Sequence, residues 1–151
     1  MATFELEAAA TSIHDGLPNR IHQVMDRHAA ATPDRAALTD DGAAMTYREL
    51  DRAVSGTADA LLALGIRAGD RVMIVSENCI ALACLLFAAS RLDAWATVAN
   101  PRLSPRELDQ ICDHSGARRA FFTADVSPEA AAHASRCGAN VRKVGPSSAS
   151  A

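Results

Sequence analysis

Residues 71–99 read RVMIVSENCIALACLLFAASRLDAWATVA, and the fold is decided there. Arg71-Val72-Met73-Ile74-Val75 is a compact β-branched run of the kind that forms a strand buried on both faces. Cys79 to Ala89 is apolar all round but falls short of the roughly 20 residues that span a bilayer. It reads as a buried helix, capped by Asn78 and running through Ser90. Trp95 to Ala99 is a second buried-strand candidate. A strand, a buried helix and another strand make a βαβ unit, and a parallel sheet becomes the working expectation.

Upstream, Asn19 is placed to cap a helix whose Ile21, Val24, Met25 and His28 recur at helical spacing, with Thr32-Pro33 ending it. Ala36 to Thr39, the turn residues Asp40-Asp41-Gly42, and Ala43 to Thr46 suggest a small hairpin. Thr46-Tyr47-Arg48-Glu49 fits a capping box, opening a helix with a core stripe of Tyr47, Leu50, Val54, Ala58, Leu61 and Leu62, stopped by Gly65. Downstream, Ser104-Pro105-Arg106-Glu107 is a second capping box, for a helix turning Leu108, Ile111 and Cys112 inward and ending at Gly116. Arg119 to Thr123 is the next strand, Ser127-Pro128-Glu129 opens a last helix closed by Gly138, and Val141 to Val144 offers one more strand. The expected class is α/β with a doubly wound, mostly parallel sheet over residues 18–144. It is preceded by a loosely ordered arm, residues 1–17, and followed by a polar tail, residues 145–151.

Composition narrows the function. The chain has 151 residues, enough for one domain with a core, and 15 basic against 18 acidic side chains give a formal net charge of −3. That balance offers no positive excess to neutralise a run of phosphates, so nucleic acid is not an expected partner. Lys143 is the sole lysine. Cys79, Cys84, Cys112 and Cys137 have no paired CxxC spacing and no secretory leader upstream, so they read as reduced thiols of a cytoplasmic chain, not a disulfide frame or zinc site. No transmembrane segment and no metal site are expected.

Three segments in order then carry a resemblance: Thr46-Tyr47-Arg48-Glu49-Leu50, Gly65-Ile66-Arg67-Ala68-Gly69-Asp70-Arg71-Val72, and Val98-Ala99-Asn100-Pro101-Arg102-Leu103-Ser104. Together with His28 to Leu38 they resemble the N-terminal segment of the AMP-forming acyl- and aroyl-CoA synthetases, in the adenylate-forming superfamily. The resemblance covers roughly residues 19 to 125. It implies a partial N-terminal subdomain of a ligase that activates a carboxylic acid with ATP and magnesium, releases pyrophosphate and passes the acyl group to CoA. It also implies that Arg102 lies near the nucleotide phosphates of CoA. A guanidinium suits that place, being always charged and able to donate two parallel hydrogen bonds. A solvated Arg102 beside the Ser104 cap is the competing reading.

Nothing in the sequence matches the family's phosphate loop or its C-terminal lysine, and Lys143 lacks a phosphate-binding context. Adenylation needs backbone amides, a cation and a metal around the α-phosphate, so no catalytic residue is assigned and the chain is expected to be inactive alone. The leading expectation is therefore the N-terminal portion of such a ligase. The alternatives are a free-standing module that pairs with a separately encoded remainder through exposed apolar surface, or self-associates, and an unrelated α/β binding protein. His14, His22, His28, His114 and His133 show no metal-ligand spacing and read as surface or helix-face residues. Ser76 lacks a Gly-x-Ser-x-Gly elbow and reads as part of a turn. Asp93 stands where the family usually has Gly, which suggests altered turn geometry.

Overall fold

The computed structural model describes residues 17–40 and 43–140. The expected arm up to residue 16, the Asp41-Gly42 part of the hairpin turn, the Val141 to Val144 strand and the polar tail lie outside the described residues. The elements run α1 (His22–Ala31), β1 (Ala36–Asp40), β2 (Ala43–Thr46), α2 (Tyr47–Ala63), β3 (Arg71–Val75), α3 (Ile80–Arg91), β4 (Trp95–Ala99), α4 (Pro105–Ser115), β5 (Arg119–Phe122) and α5 (Pro128–Arg136). β1 and β2 pair antiparallel, from Ala36 opposite Thr46 to Asp40 opposite Ala43.

The other three strands form a parallel sheet in the order β4-β3-β5. Arg71 to Val75 align with Trp95 to Ala99 on one side, and Val72 to Val75 with Arg119 to Phe122 on the other. The chain thus leaves β3 for one neighbour and then crosses back over it to form the other. Side chains alternate along β3, so Val72 and Ile74 enter a core with Leu50, Val54, Leu61, Cys84 and Leu85 of α2 and α3. Met73 and Val75 enter a separate, smaller core with Ala99 and Leu108. Helices cover both faces, which makes the sheet doubly wound.

Both capping boxes form. The Thr46 side chain accepts from the Glu49 amide while the Glu49 carboxylate accepts from the Thr46 amide at 2.8 Å, and Ser104 and Glu107 repeat the arrangement. Gly65 and Gly116, at φ +87° and +60°, take the left-handed conformation that ends α2 and α4.

Several expectations are corrected. Asn19 does not cap α1. The helix opens on a tight turn closed by Gln23 N–H donating to the Arg20 carbonyl, and Ile21 occupies the cap position with helical angles. Ile21 and Val24 are exposed and Met25 is the buried residue of this helix, because only that edge of α1 reaches the core. Asn78 does not cap α3 either. Cys79 does: its extended backbone aims Sγ at the Leu82 amide, 3.4 Å away, and Asp40 of the hairpin accepts from the Ile80 amide at 3.2 Å. On α2, Leu62 is exposed, unlike the rest of its stripe. β4 is a strand but an outer one, with Trp95 70% and Val98 48% exposed, since no fourth strand flanks it among the described residues.

Asp93 is the one described non-glycine residue at positive φ, +53°. Its backbone takes the left-handed form that glycine adopts readily. Its carboxylate pairs with Arg20 Nε at 2.5 Å. Two residues earlier, at the last position of α3, Arg91 joins three helices, donating to Asp26 and Asp51 at 2.5 Å each. Burial pulls the Arg91 pKa down, but the hydrogen bonds to Asp51 and Asp26 outweigh it and leave it raised.

Candidate functional site

The reversal of strand order falls between β3 and β5, and the carboxyl ends of these strands form the edge where open α/β sheets bind ligands. Three segments meet there: the turn Ser76-Glu77 after β3, the loop Asn100 to Leu103 after β4, and Thr123 after β5. Ser76 N–H donates to the Ala99 carbonyl and Thr123 N–H to the Val75 carbonyl, both at 3.2 Å, which extends the strand ladder into the loops. Both side chains are buried. Thr123 Oγ1 donates to Ser76 Oγ at 2.9 Å, and Ser76 Oγ donates to the Glu77 carbonyl at 2.6 Å, with Cys79 Sγ 3.6 Å away. Those partners include no base, so Ser76 has no activation as a nucleophile and belongs to the turn.

Arg102 stands on the loop at this edge, its side chain 71% exposed. Its Nη2 lies 3.0 Å from Glu77 Oε1, an atom that is itself buried and has no hydrogen bond of good geometry. The contact is therefore an ion pair with one guanidinium edge turned to solvent. Loop structure sets the residue's place. Asn100 Oδ1 accepts from the Arg102 amide at 2.9 Å, the Asn100 carbonyl accepts from the Leu103 amide at 3.2 Å, and Pro101 between them is fully buried.

Helix α5 packs against the same loop. Ser127 caps it, accepting from the Ala130 amide at 3.2 Å and donating to Glu129 at 2.9 Å. The Glu129 carboxyl is held below its ordinary value of 4.5 by its own backbone amide and the Ser127 hydroxyl, with Arg102 adding a smaller pull. One turn on, His133 is only 7% exposed, and its Nε2 lies 3.1 Å from the carbonyl oxygens of both Pro101 and Leu103. This corrects the surface reading for His133. His28 and His114 are exposed and His22 is half-buried against Ser90, 2.9 Å away, while His14 lies outside the described residues. The sequence held a signal for the buried histidine, because His133 follows Ala130 at i+3 on a helix whose inward positions begin there. Glu77 carried no such signal, since its pairing with Arg102 depends on the sheet order.

Among the described residues no group of three or more His, Cys, Asp or Glu side chains is arranged to hold a metal ion. Among them, too, no helix is long and apolar enough to cross a membrane. A cavity of about 820 Å³ runs along the outer edge of β5 between Leu61, Phe121, Cys112 and Asn140, away from Arg102.

A three-stranded parallel sheet wrapped on both faces, with a hairpin packed on its helices, superposes on part of the N-terminal domain of an adenylate-forming ligase. A model of the AMP-binding enzyme family matches residues 25–148, and the chain belongs to that family. It is similar to the long-chain-fatty-acid–CoA ligase FadD13 of Mycobacterium tuberculosis, with 36% identity over 84 residues, 56% of this chain and 17% of that protein. Feruloyl-CoA synthase of an Amycolatopsis species is 37% identical over 106 residues, 70% of this chain and 22% of the relative. Among solved structures, the inhibitor-bound N-terminal domain of FACL13 from M. tuberculosis superposes with a TM-score of 0.71 at 26% identity, over 83% of this chain and 31% of that one. The M. tuberculosis fatty acyl CoA synthetase gives 0.68 at 30% identity, over 75% and 23%. The chain thus spans about a fifth of the length of these curated relatives.

Proposed function

We propose that the chain forms the N-terminal part of an ATP-dependent acid–CoA ligase and is catalytically silent by itself. The observation that carries this reading is the family match across residues 25–148, supported by superposition on ligase N-terminal domains. In the complete reaction a carboxylate attacks the α-phosphate of ATP, with magnesium, to give an acyl-adenylate and pyrophosphate. The CoA thiol then takes the acyl group and releases AMP. Charge developing on the phosphates has to be met by a glycine-rich loop, a cation and the metal, and this sequence holds no segment that matches them.

The part this chain contributes is a contact to CoA. Arg102 is proposed to meet a phosphate of the CoA nucleotide from its loop at the ligand-binding edge of the sheet. Its exposed guanidinium supports that role, since the edge not paired with Glu77 is open to an incoming phosphate and can donate two parallel hydrogen bonds. The acid is left open, because the relatives are named for fatty-acid and feruloyl substrates alike.

The test begins with the native polypeptide, isolated from its source cells with an antibody to this segment. A species far heavier than 15.9 kDa that catalyses ATP–pyrophosphate exchange with an acid bears the reading out. In it, Arg102→Ala should raise the KM for CoA and leave the exchange intact. A native species of 15.9 kDa sends the search to a separately encoded remainder, and exchange by the short chain alone overturns the silent role.

A further inference from the structure

His133 is a buried histidine that the proposed chemistry does not use. Its Nε2 sits 3.1 Å from the carbonyl oxygen of Pro101 and 3.1 Å from that of Leu103, the residues on either side of Arg102. Carbonyl oxygens only accept, so a hydrogen bond to either requires the proton on Nε2, and one N–H is then shared between the two. The ring comes from α5, which begins some 25 residues beyond this loop, so the contact is tertiary and not local to the turn. Around it the loop is already shaped by Asn100, whose side chain and carbonyl take the amides of Arg102 and Leu103. Donors and acceptors on both sides of Arg102 are therefore occupied, while its guanidinium alone faces outward.

We propose that His133 is the positioning residue of Arg102: its single Nε2–H clamps the two carbonyls that flank the arginine and holds the guanidinium at the carboxyl edge of the sheet for an anionic phosphate ligand. The ligand part of this inference rests on the Arg102 reading above, whereas the clamp stands on geometry alone. Pre-ordering the loop removes conformational freedom that a phosphate would otherwise have to freeze on binding. Truncation of His133 then acts through Arg102, and the imidazole itself touches no ligand.

The experiment uses the full 151-residue chain, labelled with ¹³C and ¹⁵N. His133→Phe keeps an aromatic ring and removes the donor, while His133→Gln restores a side-chain N–H. In H133F the carbonyl signals of Pro101 and Leu103 should shift and the Leu103 amide should exchange about two- to tenfold faster, the range of one lost hydrogen bond. The β3 amides should stay as they were, and H133Q should bring the loop back towards the wild type. Adenosine 3′,5′-bisphosphate, the nucleotide end of CoA, should bind more weakly to H133F by a similar factor and lose its binding to Arg102→Ala.

Unmoved carbonyl signals and unchanged loop exchange in H133F overturn the clamp, as does a uniform acceleration that includes β3. A loop that loosens in H133F while R102A binds the nucleotide as the wild type does, or while no protein binds it, upholds the clamp and removes the Arg102 reading. Should H133F not fold, the wild-type ring decides: an Nε2 proton coupled to the two carbonyls supports the clamp, and a proton-free Nε2 overturns it.

Discussion

Val72 and Ile74 look into a core fed by the hairpin and all of α1, α2 and α3, whereas Met73 and Val75, on the other side of the same strand, share theirs mainly with Ala99 and Leu108. The fringe differs too. The first face is ringed by Tyr47, Ile80, Leu82 and Phe87, the second by Leu103, Ile111 and Phe122. One strand of five residues therefore serves two cores of very different depth, and the thinner one lies under the loop that carries Arg102. The thick side supplies stability, and the thin side is where a loop can be placed and released at small cost.

Thiol chemistry gives the largest contrast between the faces. Cys84 lies in the thick core, and burial, with a lesser push from Cys79, raises its pKa to about 11. At pH 8 about one in a thousand such thiols is ionised, so an alkylating reagent should modify exposed Cys137 at least about a hundredfold faster than Cys84. Cys112, half-buried on the thin side and also raised by burial, should fall between them. Mass spectrometry of timed maleimide labelling checks the order, and prompt labelling of Cys84 breaks the comparison.

Side-chain truncation should divide the faces next. Ile74→Ala empties space inside a close-packed cluster and should cost about 4 kcal/mol, while Leu108→Ala, at the edge of a core that can collapse, should cost about 2 kcal/mol. Urea unfolding measures both, and equal losses would mean that α4 is held as firmly as α2 and α3.

The caps sharpen the same point because their chemistry is matched. Thr46→Ala and Ser104→Ala each remove the hydroxyl of a capping box and should each cost about 1 kcal/mol. Glu49 is held below its ordinary 4.5 by the Thr46 backbone amide and then its hydroxyl, and Glu107 by the Ser104 hydroxyl and then its amide. A depressed carboxylate stabilises the fold fully above its unfolded value and loses that contribution as pH falls through the folded one. Stability should therefore decline below about pH 4.5, and the decline should be shallower in Thr46→Ala and Ser104→Ala. An unchanged acid limb in both variants would remove the boxes as its cause.

Legibility in the sequence follows the same division. Capping boxes, stop glycines and the β-branched run of β3 are local signals, so every helix and strand of the described sheet was readable within a residue or two. Burial of β4 was not, because Trp95 to Ala99 has the composition of an inner strand and only the order β4-β3-β5 leaves it outside. Cap positions slipped by one or two residues where a rarer acceptor set intervened: a thiol and a distant carboxylate at Cys79, a tight backbone turn at Arg20. Arg102 came from the resemblance alone. Its surroundings, Glu77 from one loop and His133 from a helix beyond it in the chain, are products of the crossover and have no footprint in short spacing.

Asp93→Gly should have the smallest effect, and its sign is informative. The aspartate holds φ at +53°, where a Cβ is disfavoured and glycine is at ease. Against that gain stands the loss of the Arg20 ion pair, in which both side chains are more than half exposed and which contributes about 0–1 kcal/mol. The glycine also has more freedom to lose on folding. These terms nearly cancel, and the substitution should change stability by no more than about 0.5 kcal/mol in either direction. Thermal unfolding at low and at high salt separates them. If Asp93 is kept for its ion pair, the wild type should lose its advantage over Asp93→Gly as salt rises, since screening weakens an exposed pair and leaves backbone strain untouched. A difference that ignores salt assigns the position to backbone conformation, and the turn between α3 and β4 then needs only a residue that tolerates the left-handed form.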